Sequence, residues 1–282
     1  MTALSIVLLT RDAGPLLAQV LDGISRQDLA EPAEFIAVDS GSRDETRARL
    51  AASAATIREI APADFDFGRT RDLGFELARG EIVITLSQDV VLTRPDALRL
   101  LIAPFANPEV AAVSAHLGLP HDRPVFLWQR MGRFYFTREM VEFRARYGKP
   151  LSHALSATRR SVWEKLPRES MPISEDMLLH KRIIEAGYRV AHVEEPLGTH
   201  AHDYSLLAAS KRCFNEGLGA RHLGLRYSGY DLARDLARPD LWLALARQIR
   251  YGRLRHASEA VFPALRPVAV FAGHRLGQRY WR

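Results

Sequence analysis

Acidic side chains in this sequence stand where predicted strands end. Asp39 follows the apolar run at residues 34–38, and Asp89 follows a second run at residues 81–86 by way of Ser87 and Gln88. Ligands bind beyond the carboxyl ends of strands in open α/β sheets. A carboxylate there can contact a base or ribose, and a second can hold a divalent cation on a diphosphate. The two positions therefore predict a nucleotide-sugar site.

Basic residues lie between these two carboxylates. Arg69 and Arg71 stand at the start of a predicted helix that Gly68 opens. Guanidinium groups and free backbone N–H groups at a helix start bind phosphate. A basic, solvent-facing helix start is the alternative, and the residues alone leave both interpretations open.

Two further clusters come later in the chain. Glu175 and Asp176 follow Ser174, the predicted N-cap of a long helix, and acidic residues in a first turn are also ordinary helix features. His200 and His202 follow the last predicted strand at alternate positions, a spacing that can serve metal ligation or a purely structural role. The residue types and spacing alone do not settle whether either cluster is functional or structural.

The spacing of apolar runs predicts the elements that position these residues. Strands are predicted at residues 4–9, 34–38, 56–60, 81–86, 110–115, 154–158 and 189–193. The helices between the first five predict a parallel sheet covered on both faces. The aromatic and basic stretch 116–152 breaks the alternation and predicts one or two helices with loops.

Composition excludes several classes of protein. Of the 282 residues, 47% are hydrophobic and 26% are charged, unlike disordered, collagen-like or coiled-coil chains. The single cysteine, Cys213, excludes a disulfide scaffold and a cysteine-based zinc site, and it fits a reducing compartment. Neither a signal peptide nor a membrane-spanning apolar run is apparent, so we expect a cytoplasmic protein.

The net charge of +6 is concentrated near the C-terminus. From Arg238 to Arg282, nine arginines stand against two acidic residues, a surplus of seven positive charges. Arginines alternate there with apolar runs, which suits a peripheral helix on anionic lipid. The alternatives are a solvated surface and packing of Trp242, Leu245, Phe262 and Phe271 into a core. No nucleic-acid-binding motif accompanies the charge, so nucleic acid is not an expected partner.

The order of four motifs carries a family resemblance. The motifs are VDSGSRDET at 38–46, FGRTRDLGFELARGEIVITLSQD at 67–89, SEDMLLHKRIIEAGYRV at 174–190 and THAHDYSL at 199–206. Together they resemble the inverting nucleotide-sugar glycosyltransferases of family 2. The chain looks most like bacterial rhamnosyltransferases, in which a Gln-Asp pair replaces the usual Asp-x-Asp. The resemblance covers about residues 4–225, and residues 271–282 also resemble that group's tail.

The resemblance implies an α/β protein of the GT-A fold. This fold is Rossmann-like, with a mostly parallel central sheet and helices on both faces, and here a helical basic C-terminal extension follows it. We expect a nucleotide-sugar-binding half at 1–115, an acceptor-binding and catalytic-base half of the same domain at 116–230, and the extension at 231–282.

Roles transfer by position from the resemblance. Asp176 would be the catalytic base, with Glu175 as the other candidate. Asp39 would bind the pyrimidine base, and Asp89 would hold Mg²⁺ or Mn²⁺ on the donor diphosphate. The remaining expected residues are His200 or His202 for the metal or phosphate, and Thr10, Ser42, Arg69, Arg71 and Gln88 for the nucleotide sugar.

The implied activity is inverting transfer of a sugar to a hydroxyl of a growing surface polysaccharide or lipid-linked glycan. Rhamnose from dTDP-rhamnose is the favoured donor, and the inner face of the plasma membrane is an expected peripheral location. Ser87 replaces the first Asp of the usual metal motif, which predicts weak metal affinity. The alternatives are a UDP-hexose-dependent family 2 enzyme and an inactive protein of the same fold that binds glycans or nucleotide sugars.

Overall fold

The chain folds into two compact units. The computed structural model describes residues 3–131, 137–166, 169–171 and 173–277. The first unit comprises Met1–Leu119 and Pro150–His200, and the second comprises Pro120–Lys149 and Ala201–Arg282. These bounds reflect packing alone, so the division into two functional halves and an extension stays a prediction.

The described part of the first unit contains one mixed sheet. Its strands are β1 (Leu4–Thr10), β2 (Glu34–Asp39), β3 (Thr56–Glu59), β4 (Ile82–Ser87), β5 (Val90–Leu92), β6 (Val110–Gly118), β7 (Leu155–Arg159) and β8 (Arg189–His200). Their order is β3-β2-β1-β4-β7-β6-β8-β5. The β1–β2, β1–β4 and β2–β3 pairs are parallel, as the sequence predicts, and β6 and β8 also form a parallel pair. β7 runs antiparallel to both neighbours, and β5 runs antiparallel to β8.

Helices belong to both units. They are α1 (Leu16–Ser25), α2 (Thr46–Ala52), α3 (Phe67–Leu77), α4 (Ala97–Ile102), α5 (Leu127–Met131), α6 (Arg138–Tyr147), α7 (Arg160–Trp163), α8 (Glu175–Glu185), α9 (Leu206–His222), α10 (Gly229–Leu236), α11 (Pro239–Arg250) and α12 (Phe262–Leu276). Helices α5 and α6 confirm the helices predicted within 116–152. Arg133, Phe134, Tyr135 and Phe136 of that stretch lie outside the described residues.

Helices pack on both faces of the sheet. Successive side chains of a strand point to opposite faces, so neighbouring residues of β1 contact different helices. Ile6 and Leu8 of β1 lie in the core that includes α1 and α4. Val7, between them, packs instead with Phe75 of α3. A Cβ atom at Gly74 would lie 2.3 Å from Cγ1 of Val7, so a glycine there lets α3 contact β1 closely.

One predicted boundary is wrong. The sequence places His200 after the last strand, whereas β8 continues through His200. Two strands extend β8: β5, a short strand that the sequence does not predict, pairs Val90 with His200, and β6 pairs Gly118 with Thr199. The added backbone pairing keeps the end of β8 extended beside Asp89.

The second unit is helical. A Cβ atom at Gly273 would lie 1.8 Å from the carbonyl oxygen of Phe214, and one at Gly217 would lie 2.0 Å from that of Val270. Helices α9 and α12 therefore meet backbone to backbone. Phe262 and Val270 are buried with Cys213, so α12 forms part of this unit's core. Within the described residues, every helix falls short of the length and apolar composition needed to cross a bilayer.

A buried carboxyl group lies in the second unit at the start of α6. Glu139 is 4% exposed, and its Oε1 accepts a hydrogen bond from the Thr137 hydroxyl. Among the described residues, its Oε2 has no hydrogen-bond partner. Burial raises the pKa of Glu139 to about 7, although the Arg266 guanidinium lowers it and the nearby Glu216 raises it. Folding therefore favours the protonated form of Glu139.

This burial predicts a pH-dependent stability. Between about pH 4.5 and about pH 7 the folded chain holds a proton on Glu139 that the unfolded chain releases, so the free energy of unfolding falls as pH rises through that range. We expect Glu139→Gln to reduce this slope, to which Glu175 also contributes, and to raise the free energy of unfolding above pH 7 by about 1–3 kcal/mol. Chemical denaturation across this pH range measures the effect.

The matched control is Glu45→Gln, an exposed glutamate paired with Arg49 on its own helix. This control should leave the pH slope as in the parent chain. An unchanged slope in Glu139→Gln would contradict the assignment of the proton to Glu139.

Candidate active site

The turn after β2 is organised around a single carboxylate. Asp39 is fully buried, and its Oδ2 accepts hydrogen bonds from the hydroxyls of Thr10, at 2.8 Å, and Ser42, at 2.5 Å. Its Oδ1 accepts from the backbone N–H groups of Gly41 and Ser42. Gly41 has φ of +81°, a conformation that favours glycine. The structure thus brings three of the predicted nucleotide-sugar residues together.

The turn after β1 is fastened to the same loop. The N–H of Asp12 donates to the Ser42 hydroxyl at 2.9 Å, and the N–H of Gly14 donates to Asp44. The sequence suggests Ser42 or Asp44 as a cap for the following helix. Ser42 instead donates to Asp39, whereas Asp44 accepts from the N–H of Thr46, the first residue of α2.

Gln88 connects the turn after β4 to the turn after β1. Its side-chain oxygen accepts from the N–H of Arg11 at 2.8 Å, and its side-chain N–H donates to the Arg11 carbonyl at 3.1 Å. Both ends of the amide are used, so the backbone that leads into Asp89 is held in place. Gln88 therefore positions the neighbouring Asp89.

Asp89 and His200 lie side by side in the first unit. The Oδ1 of Asp89 is 3.3 Å from Nε2 of His200, and both side chains are partly exposed. A carboxylate oxygen suits Mg²⁺ or Mn²⁺, and an imidazole nitrogen can complete a transition-metal site. The donor set of this pair therefore fits a divalent cation such as Mn²⁺.

His202 belongs to the second unit, two positions further along the chain. Its ring stacks on Tyr204 with centroids 4.7 Å apart, and its backbone N–H donates to the side-chain oxygen of Gln129. Its predicted role toward a metal or phosphate stays a prediction.

The two arginines of α3 occupy different environments. Asp66 caps the helix by accepting from the N–H of Arg69, whose side chain is exposed. Arg71 is 7% exposed, and its Nη2 lies 3.1 Å from Oε1 of Glu175. Among the described residues, its Nη1 has no hydrogen-bond partner. A solvent-facing basic helix start is thus wrong for Arg71.

The adjacent carboxyls of Glu175 and Asp176 also differ. Burial raises the pKa of Glu175 to about 7, with Arg71 lowering it and the charge on Asp176 raising it. Asp176 accepts from the N–H of Met177 at 2.8 Å and from the N–H of His153 at 3.3 Å. Hydrogen bonds to a carboxylate favour its ionised form. Different groups therefore hold the two carboxyls: a guanidinium contacts Glu175, and backbone N–H groups contact Asp176.

Ser174 is the N-cap residue of α8, as predicted, but its side chain does not cap the helix. Ser174 has φ of +64°, and its hydroxyl makes no capping hydrogen bond within the part of the chain that the structure describes. The left-handed conformation turns its side chain out of the capping position. The acidic first turn of α8 is therefore held by Arg71 and His153 rather than by a serine cap.

His153 is a residue that sequence reasoning did not assign. Its Nδ1 lies 3.1 Å from the hydroxyl of Thr85 and 2.9 Å from that of Ser156, which are 2.6 Å from each other. Burial and the charge of Arg71 hold the pKa of His153 well below its usual range, so the ring is neutral. The sequence signal that could have indicated this cluster is a polar residue inside each of two apolar strands, Thr85 in β4 and Ser156 in β7.

Comparisons with known proteins identify the family of the chain. The family model described as "Glycosyl transferase family 2" matches residues 5–166. The O-antigen chain rhamnosyltransferase RfbN of Salmonella typhimurium (strain LT2) is 33% identical over 227 residues, which is 76% of this chain and 71% of that protein. The O-antigen chain rhamnosyltransferase WbaN of Salmonella anatum is 28% identical over 198 residues, 67% of this chain and 62% of that protein.

Solved structures share the fold. The mannosyltransferase PcManGT from Pyrobaculum calidifontis, in complex with GDP-Man and Mn²⁺, has a TM-score of 0.68 at 18% identity, covering 99% of this chain and 87% of that one. Glucosyl-3-phosphoglycerate synthase from Mycobacterium tuberculosis, in complex with Mn²⁺, UDP and glucosyl-3-phosphoglycerate, has a TM-score of 0.60 at 21% identity, covering 81% and 82%. The predicted GT-A architecture is confirmed. On these grounds the chain belongs to glycosyl transferase family 2 and is a glycosyltransferase enzyme.

Proposed function

We propose that this glycosyltransferase moves a sugar with inversion from a nucleotide diphosphate, with dTDP-rhamnose as donor, to a hydroxyl of a growing glycan. The similarity to two O-antigen chain rhamnosyltransferases supports rhamnose as the sugar. The observation that carries the proposal is the unequal pair at the start of α8. Glu175 is engaged by Arg71, whereas Asp176 is held by backbone N–H groups.

In the proposed reaction Asp176 is the general base. It takes the proton of the acceptor hydroxyl while that oxygen forms a bond to the anomeric carbon. The bond from this carbon to the diphosphate oxygen breaks, and the nucleoside diphosphate leaves with the electron pair. Attack opposite the leaving group inverts the anomeric centre and requires only one base on that side.

The donor is proposed to bind at the edge where β1, β2 and β4 end. Asp39, held with Thr10 and Ser42, shapes the turn that would receive the pyrimidine, and the exposed Arg69 is available to phosphate. Asp89 and His200, with His202 as a further candidate, would hold Mg²⁺ or Mn²⁺. The cation would neutralise charge that develops on the departing diphosphate.

A nucleotide-release assay across donors tests the proposed function. We expect faster release from dTDP-rhamnose than from UDP-glucose or UDP-galactose, with dependence on Mg²⁺ or Mn²⁺ and loss after chelation. Asp89→Ala should weaken Mn²⁺ binding measured by electron paramagnetic resonance, because the chain loses its carboxylate ligand.

Other results of these assays would support the alternative functions. Faster release from a UDP-hexose would favour the UDP-hexose-dependent alternative. Donor binding by calorimetry without release in any condition would favour an inactive nucleotide-sugar-binding protein. Unchanged Mn²⁺ binding in Asp89→Ala would remove Asp89 from the metal site.

Substitution of the proposed base gives a second prediction. Asp176→Asn should lower transfer by about 10²–10⁴-fold while the donor Kd stays near that of the parent chain, since a general base contributes about this much. The matched control is Glu185→Gln at the exposed end of the same helix, which should transfer at the parental rate. Near-full transfer by Asp176→Asn would leave Glu175 as the candidate base.

The proposed location is the cytoplasmic face of an anionic membrane. The single cysteine, Cys213, fits a reducing compartment. Helix α11 buries Leu241 and Leu245 but leaves Leu243 62% exposed and Ile249 53% exposed. Its Arg247 and Arg250 are exposed as well. Exposed apolar and basic side chains on one helix favour peripheral attachment to anionic lipid.

The double variant Leu243→Ser/Ile249→Ser tests this location. We expect the parent chain to sediment with vesicles containing phosphatidylglycerol but not with phosphatidylcholine vesicles, and the variant to bind several-fold less. Added salt should weaken binding, because exposed charges are screened. Val268→Ser, an exposed apolar position on α12, is the control and should bind as the parent chain does. Equal binding to both vesicle types would overturn the membrane proposal.

A further inference from the structure

The second unit contains a cavity of about 430 Å³ that no step of the proposed donor chemistry uses. Most of its lining residues come from two segments of the chain. Asp203, Tyr204 and Ser205 lead into α9, and Arg255 and Ser258 belong to the segment just before α12. A volume of this size lies in the range of small-molecule sites, about 300–1,000 Å³.

The polar side of the cavity is held in place by a buried carboxylate. Glu259 is 2% exposed, and it accepts hydrogen bonds from Arg130 and, at 2.9 Å, from the N–H of Arg255. This contact fixes the backbone at Arg255, whose guanidinium pairs with the carboxylate of Asp203. The paired groups remain partly exposed, so they present both hydrogen-bond donors and acceptors to the cavity.

The aromatic side is equally well fixed. The ring of Tyr204 stacks on His202 and lies 5.3 Å from the ring of Trp128. Its hydroxyl accepts from Nη1 of Arg212 at 3.1 Å, and the same guanidinium lies over the Tyr204 ring. Tyr204 is restrained by these contacts and, together with Phe126, forms the aromatic part of the lining.

The chemistry of the lining selects the class of ligand. Asp203 and Glu259 balance Arg255 and Arg130, so the cavity has no cationic surplus to attract a phosphate or nucleic acid. Hydroxyl and charged groups rule against a purely apolar ligand, because burying them without partners is costly. A neutral polyhydroxyl ring with one apolar face satisfies both the polar side and the aromatic side.

We propose that this cavity binds a saccharide unit of the acceptor glycan. The inference rests on the proposed function, because the saccharide belongs to the acceptor glycan of that reaction. Asp203 and Arg255 would hydrogen-bond the ring hydroxyls, and the aromatic lining formed by Phe126 and Tyr204 would contact the apolar face of the ring.

Saturation-transfer-difference NMR on the full chain tests the proposal directly. The probes are methyl α-D-mannopyranoside, methyl α-D-galactopyranoside and methyl α-L-rhamnopyranoside at millimolar concentration. We expect saturation transfer to at least one probe, strongest at the protons of one ring face. Ser258→Trp, which fills the cavity from an exposed position, should abolish the signal, and Asp203→Asn should reduce it several-fold.

A matched control separates the cavity from general surface effects. Asp240→Asn removes a similar Asp–Arg pair, formed with Arg238 outside the cavity, and should leave the signal unchanged. Absence of transfer to all three probes, or an undiminished signal in Ser258→Trp, would overturn the proposal. The nucleotide-release assay uses no acceptor, so its result on the parent chain decides the proposed function independently.

Discussion

The buried ion pair between Arg71 and Glu175 is the contact on which the candidate site depends. It joins α3 to the first turn of α8, with the two side chains 9% and 13% exposed. Removing one partner of a buried pair typically costs about 3–5 kcal/mol, because the other charge is left without compensation. The pair also makes two neighbouring carboxyls unequal. Glu175 has a guanidinium partner and a pKa of about 7, whereas Asp176 is held by backbone N–H groups.

The sheet interior extends this arrangement toward the proposed base. Thr85 of β4 is paired in register with Ser156 of β7, and the hydroxyls of both contact His153. The backbone N–H of His153 in turn donates a hydrogen bond to the Asp176 carboxylate. A neutral, buried imidazole is therefore a positioning element, since it fixes the loop whose backbone contacts the carboxylate. A polar cluster in a core is stable here because its members satisfy one another.

Local patterns explain which parts of this arrangement were predictable. Asp39 and Asp89 could be placed at one sheet edge because each follows an apolar run, and parallel strands bring their carboxyl ends together. The partner of Arg71 could not be predicted, because Glu175 is far away in sequence and neither residue type indicates the pairing. Ser174 was assigned as a cap from its type alone, whereas its positive φ depends on the tertiary path of the chain. The backbone contact of α9 with α12 likewise depends on where Gly217 and Gly273 meet, which periodicity does not report.

The short pairing of β5 with β8 has a consequence for how this family can diversify. Asp89 directly precedes Val90, and Val90 is paired with His200, so the proximity of carboxylate and imidazole is set by a local ladder. The number of residues in the connections between these two strands does not enter that geometry. Loops between residues 93 and 188 can thus lengthen or shorten during evolution without altering the pairing that holds Asp89 beside His200. A one-residue slip between the two strands, by contrast, would turn His200 to the opposite face of the sheet and separate the pair at once.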